Sequence, residues 1–207
     1  GIGTVAEYHF NKSMDVDPND PLHYFTEFDY NGQTGKKIAI GAQMEIEDMR
    51  EFVVAKGIRC DLNLRKATDP EPIYLAEQDL CRELGVEFAG IPMISFGLPK
   101  PSTLRDLIAR FKAGPYPMIL HCHAGADRSG LASVVFRLVI EGDALDRALA
   151  AELTWRKGHF RLGRAGLVDE FFELYRRTGA GLVFERWALE IYPGLYRERK
   201  ARESGDD

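Results

Sequence analysis

The sequence predicts an α/β fold: a single domain on a central, mostly parallel sheet of four to five strands with helices on both faces. Two observations carry this expectation. Short apolar or alternating runs recur between longer runs of helical periodicity, the order that builds a parallel sheet. One of the short runs, Pro117-Met118-Ile119-Leu120, is apolar enough to be covered on both faces, as a central parallel strand must be. It leads through a short Gly/Ala-rich loop into an apolar helical run, Leu131 to Ile140.

Residues 1–35 read as a polar N-terminal extension, with turn signals at Asp17-Pro18-Asn19-Asp20-Pro21 and Asn31-Gly32 and a short strand around Tyr24 to Tyr30. Lys36 to Ala42 reads as the first strand of the main sheet. Glu45 to Lys56 has a helical pattern, and Gly57 is its stop. Ile58 to Leu64 alternates apolar and polar, which marks a strand. Pro72 to Leu84 is a helix closed by Gly85, and Val86 to Met93 another strand. Pro101 to Ala113 is a helix with proline at its start, ended by Gly114-Pro115. Met118 to Cys122 is the central strand. Helices follow at Ser129–Glu141, Asp143–Trp155 and Ala165–Arg177. Leu182 to Ile191 is a short apolar helix before a charged, frayed tail. The implied division is 1–35 extension, 36–180 main domain, and 181–207 C-terminal helix and tail.

The 207 residues, 45% hydrophobic and 29% charged, suffice for one domain with a sizeable core. A formal net charge of −5 argues against a general nucleic-acid binder. Three cysteines, Cys60, Cys81 and Cys122, are too few and too irregular for a disulfide framework. No run reaches the roughly 18 apolar residues of a membrane span, and no signal peptide is visible. The sequence starts at Gly1 rather than Met, so a trimmed N-terminal signal or anchor stays open. The cytoplasm is the expected location, and a periplasmic or membrane-tethered one if such a segment was removed.

The chemistry concentrates in His121-Cys122-His123-Ala124-Gly125-Ala126-Asp127-Arg128-Ser129-Gly130. A strand, a tight loop and a helix make a phosphate cradle: loop amides point inward and the helix start adds positive charge. A thiol with a free pKa of roughly 8.5 falls to roughly 3.5–7.5 beside a helix N-terminus and a cation. Cys122 would have both, the cation being Arg128. The thiolate can then attack phosphorus and form a phosphocysteine. The planar fork of Arg128 binds two phosphoryl oxygens at once. Amides of His123, Ala124, Gly125, Ala126, Asp127 and Arg128 would hold the charge that builds up in the transition state. Ser129 can donate its hydroxyl to the sulfur and help it leave.

These residues resemble the His-Cys-x5-Arg-Ser/Thr signature of the cysteine-dependent protein tyrosine phosphatase superfamily, in particular small bacterial dual-specificity-type phosphatases. His121, Cys122, Arg128 and Ser129 match position by position, and Gly125 matches the mid-loop glycine. Gly57-Ile58-Arg59-Cys60-Asp61-Leu62-Asn63-Leu64-Arg65 looks like the G-I-x-x-V-I-N-L-R strand of that group. Thr154-Trp155-Arg156-Lys157-Gly158-His159-Phe160 looks like a segment that follows the signature there. The likeness covers about Lys36 to Thr178. It implies a phosphatase-like sheet, a phosphomonoester phosphatase of the protein tyrosine or dual-specificity type, a phosphocysteine intermediate, and no metal or other cofactor. The implied partner is a phosphorylated protein or a small anionic phosphomonoester.

The family supplies a leaving-group acid from an Asp on a loop well before the cysteine. Here that region, Ile94-Ser95-Phe96-Gly97-Leu98-Pro99-Lys100-Pro101-Ser102-Thr103, holds no carboxylate. Three explanations stand. Asp127 is the acid, an arrangement similar to that of myotubularin- and Sac-type lipid phosphatases. There a thiolate and a phosphate would raise its pKa, and Arg128 and the loop amides would lower it. Alternatively Asp106 folds over the site, against the simpler reading of a solvated helix charge. Or no protein acid exists and only good leaving groups are processed.

His121 is expected to hydrogen-bond behind the loop and fix the cysteine, and His123 to line the rim. A metal site on these two lacks the usual ligand spacing. The resemblance implies that Cys60 or Cys81 could protect Cys122 as a disulfide, as in some phosphatases of the superfamily; the simpler reading makes each a small buried hydrophobe. Arg156, Lys157, His159, Arg161 and Arg164 form a basic run that would gather a multiply anionic substrate or is a solvated loop. Arg197 to Arg202 reads as a charged helix end. Trp155, Phe160, Phe171, Phe172 and Trp187 read as core. Two rival functions remain: a pseudophosphatase that binds phosphorylated ligands, and a phosphoinositide, lipid or sugar phosphatase on the same scaffold. An arsenate reductase or sulfurtransferase is a further thiol-enzyme alternative.

Overall fold

Four short strands, each buried along its whole length except the last in the sheet order, carry the architecture. They are β1 (Ile38–Gly41), β2 (Cys60–Asn63), β3 (Glu87–Gly90) and β4 (Met118–His121), in the order β1-β4-β2-β3 and parallel throughout. This is a computed structural model that describes residues 34–67, 71–94, 97–123, 127–156 and 166–205. The expected strand at Tyr24 to Tyr30 and most of the 1–35 extension lie outside the described residues.

The connecting helices are α1 (Ile46–Lys56), α2 (Glu71–Leu84), α3 (Pro101–Ala113), α4 (Asp127–Val139), α5 (Leu145–Arg156) and α6 (Gly166–Thr178). Gly57 ends α1 in the left-handed region, φ 62°, and its amide closes back on the Val53 and Val54 carbonyls, a capping role that suits glycine. Pro101 opens α3, where its missing N–H costs nothing.

The two faces of the sheet are covered unequally. On one face Ala39 and Ile119 meet Met49, Phe52 and Val53 of α1 and Leu80 and Cys81 of α2. On the other, Ile38, Ile40, Leu62, Met118 and Leu120 meet α3, α4, α6 and the C-terminal helix. Alternate side chains of β4 therefore serve different cores, the two-residue period of a strand buried on both sides.

The C-terminal segment corrects the expected frayed tail. It runs as Phe184–Arg186, a π-helical turn Trp187–Ile191, and Tyr192–Gly205, together called α7. Its inner face inserts Phe184, Trp187 and Tyr192 among Phe171 and Phe172. Its charged end is helical too, and several of its charges are paired. Lys200 reaches Glu203 at 3.2 Å, Arg199 reaches Glu203 at 3.7 Å, and Arg199 also bonds Glu170 of α6. Spacings of three and four residues place such side chains on one helical face.

Candidate active site

Cys122 follows directly on β4, at the carboxyl end of the sheet, the end where ligands bind in open α/β folds. Its thiol is 2% exposed and belongs to the larger core. Helix α4 begins at Asp127, so its free amides and positive end lie just past the cysteine in the chain. Ser129, in the first turn, donates its Oγ–H to Cys122 Sγ at 3.1 Å. Arg128 is 8% exposed. His123 is exposed. Residues 124–126 and the side chain of Asp127 lie outside the described residues, as do residues 157–165, which hold most of the basic run. Asp106 points to solvent from α3, with its nearest ionic partner the adjacent Arg105 at 3.5 Å, which is the solvated-charge reading.

His121 ends β4 one residue before the cysteine, so it faces the opposite core, beneath the loop. There it meets a polar seam that sequence reasoning missed. Nδ1 hydrogen-bonds the Cys122 carbonyl at 3.2 Å, and Nε2 lies 2.6 Å from Glu77 Oε1 and 3.5 Å from Asp61 Oδ1. Asn63 Nδ2 donates to Glu77 Oε2. Asn63 Oδ1 accepts the Arg65 amide at 2.8 Å, and Arg65 Nη1 donates to Gln43 Oε1 at 2.9 Å. The Gln43 backbone N–H then donates to the His123 carbonyl at 3.0 Å, so the seam closes on the residue after the cysteine. All six seam side chains are buried. The signal in the sequence was Asp61, an acid where the resembled strand carries valine.

Burial lowers the affinity of His121 for its proton, but the Glu77 charge and the hydrogen bonds of Asp61 and Glu77 outweigh it, and the net direction is well upward. Burial first, then the charge of Asp61, pushes Glu77 up to about 7, with His121 pulling it back. Asp61, Glu77 and His121 have the donor set of a metal site. The spacing does not fit one. Two donors about 2.0–2.2 Å from a tetrahedral zinc would sit roughly 3.3 Å apart, and the 2.6 Å between Nε2 and Oε1 is a hydrogen bond.

The geometry does not favour a protective disulfide. Cys60 aligns with Met118, four residues before Cys122. At ~3.3 Å per residue that is roughly 13 Å along the strand, against the ~7 Å Cα separation a disulfide tolerates. Cys81 lies in the other core and donates to Asp61 Oδ2 at 3.5 Å. Burial pushes the Cys60 thiol up to about 12 and the Cys81 thiol higher. Both behave as the small buried hydrophobes of the alternative reading.

A cavity of about 270 Å³ opens past the ends of β2 and β3, at the start of α3. Its walls include Lys66, Pro92, Met93, Ile94, Pro99 and Lys100. The Met93 backbone N–H donates to the Leu64 carbonyl at 3.0 Å, and the Pro99 carbonyl accepts the Tyr192 hydroxyl at 2.6 Å. The region where the family keeps its acid is thus the wall of a cleft with two lysines.

A four-strand parallel sheet with a cysteine at the strand-to-helix turn defines the class: the chain has the fold of the cysteine-dependent tyrosine phosphatase superfamily. Among solved structures, the kinase associated phosphatase superposes with a TM-score of 0.60 at 13% identity, over 79% of this chain and 99% of that one. PTPMT1 in complex with PI(5)P gives 0.52 at 16%, over 69% and 94%. TpbA of P. aeruginosa in complex with pTyr gives 0.50 at 16%, over 82% and 96%. No protein-family model and no curated protein matches the chain.

Proposed function

We propose that this chain is a phosphomonoester phosphatase that works through a phosphocysteine on Cys122 and needs no metal. The observation that supports it most is the 3.1 Å hydrogen bond from Ser129 to the Cys122 sulfur at the start of α4, beside a buried Arg128. In the first step the thiolate attacks phosphorus, the S–P bond forms and the P–O bond to the leaving group breaks. Arg128 and the amides of residues 123–128 hold the equatorial oxygens. Asp127 gives its proton to the departing oxygen. In the second step Asp127 takes a proton from water, the water oxygen attacks phosphorus, and the S–P bond breaks. Ser129 stabilises the returning thiolate. His121 anchors the cysteine from behind, and His123 lines the rim.

The neighbours and the cleft support this substrate reading. The structures in complex with pTyr and PI(5)P support a phosphomonoester. The pair Lys66 and Lys100 in that cleft favours a substrate with a second anionic group, as in a phosphoinositide or sugar phosphate. Neither lysine has an ionic partner among the described residues.

Phosphate release from an aryl phosphate, with chelator present, tests the reading. Turnover is expected to survive the chelator and to vanish in Cys122→Ser. Asp127→Asn is expected to lose far more activity on alkyl than on aryl phosphates. Equal losses remove Asp127 as the acid. Tight vanadate binding without turnover makes the protein a binding module instead.

A further inference from the structure

Backbone pairing fixes where the cavity stands relative to the cysteine. Asn63 pairs with His121 in register, and the Leu64 N–H donates to the His121 carbonyl at 2.9 Å, so Leu64 stands next to Cys122. The Met93 N–H donates in turn to the Leu64 carbonyl. Adjacent strands are ~4.8 Å apart, which puts the Met93 backbone about 10 Å from that of Cys122. Leu64, Met93 and Cys122 share one core, so this cavity wall and the thiol lie on the same face of the sheet, at its carboxyl end.

The lining joins two cations to an apolar floor. Lys66 and Lys100 are its charged residues, no carboxylate is among them, and Pro92, Met93, Ile94 and Pro99 supply the apolar surface. Both lysines stand on fixed backbone. Lys66 follows the buried Arg65, whose amide bonds Asn63 and whose guanidinium bonds Gln43. Lys100 lies between Pro99 and Pro101 in an extended conformation, φ −63° and ψ 143°, to which the following proline restricts it. The Tyr192 hydroxyl holds the Pro99 carbonyl. Cations on a preorganised backbone lose less freedom when an anion binds. We propose that this cavity is a specificity subsite for a second phosphate group, held by Lys66 and Lys100 while the first meets Cys122. The substrate is then a small soluble bisphosphate with its two phosphates on opposite sides of a ring. The proposal deepens the phosphatase reading and rests on it. A volume of about 270 Å³ is roughly nine waters' share of the liquid, enough for one phosphate and part of the ring that carries it. A lipid headgroup offers the same chemistry. However, the exposed large apolar side chains, Val54, Leu75, Val183, Leu189 and Ile191, all stand outside the lining, so among the described residues none is placed at this cavity to enter a bilayer.

The test compares kcat/KM for phenyl phosphate and hydroquinone bisphosphate on the whole protein at low ionic strength. The two share an aryl leaving group and differ in the second phosphate. The bisphosphate is expected to be preferred about tenfold once its two equivalent ends are counted, chiefly through a lower KM. Lys66→Gln/Lys100→Gln is expected to erase that preference. Lys200→Gln/Arg202→Gln removes the same formal charge from the outer end of α7 and is expected to keep it. Equal constants for the two substrates in the wild type overturn the proposal, and so does a preference that survives the loss of Lys66 and Lys100. A preference lost as fully in the Lys200 and Arg202 variant overturns it in favour of net charge. Hydrolysis confined to phosphatidylinositol phosphate in phosphatidylcholine vesicles overturns it in favour of a lipid headgroup. If no substrate is hydrolysed, the phosphatase reading fails by itself and isothermal titration calorimetry decides the subsite. Tighter binding of hydroquinone bisphosphate than of phenyl phosphate, lost without the two lysines, supports it, and equal binding overturns it.

Discussion

A hydroxyl 3.1 Å from a buried sulfur matters most when the sulfur is an anion. A hydrogen bond to a charged group is worth about 1.5–3 kcal/mol. In the proposed mechanism the sulfur that Ser129 faces regains charge when the phosphocysteine breaks down, so Ser129→Ala is expected to slow that second step roughly ten- to hundred-fold. Rapid-quench measurement would then find phosphoenzyme accumulating. Failure to accumulate would assign Ser129 to the first step or to packing. The signature residues were legible in the sequence because their chemistry is local: Cys122, Arg128 and Ser129 share one loop and one helical turn. Glu77 was not, because it reaches His121 across the sheet from a helix 44 positions earlier. Nothing in the periodicity of α2 separates a buried glutamate from a solvated one.

At the scale of elements, the helix and strand runs were readable wherever a cap or a breaker punctuated them, as at Gly57, Gly85 and Pro101. The C-terminal helix was misread because its outer half has almost no apolar residues. Its inner half is anchored by packing against the core and α6, which a local reading does not see. This helix also reaches the cleft. The Tyr192 hydroxyl holds the Pro99 carbonyl two residues before α3, from a fully buried position. Tyr192→Phe leaves that acceptor without its partner and is expected to cost about 1–2 kcal/mol. Urea unfolding would measure it, and no loss would show that the carbonyl finds another donor.

Across the whole molecule, the sheet carries two cores, the smaller with a charged seam at its upper end. Glu77 and His121 both hold protons more tightly folded than unfolded. A group with a raised folded pKa stabilises most below its unfolded pKa and loses that contribution as pH rises through the folded one. The unfolded values are about 4.3 for the carboxyl and about 6.5 for the imidazole. Stability is therefore expected to fall steadily as pH rises from about 5 past neutrality, the acid-side part through Glu77 and the rest through His121. Thermal unfolding across that range would show it, and a flat profile would contradict the charge assignment. The same seam has a thermal signature. Melting the domain at pH 7 must hand protons to the solvent. The heat taken up at the transition then contains the buffer's own enthalpy of protonation, so scans in Tris and in PIPES would report different apparent enthalpies for one and the same unfolding.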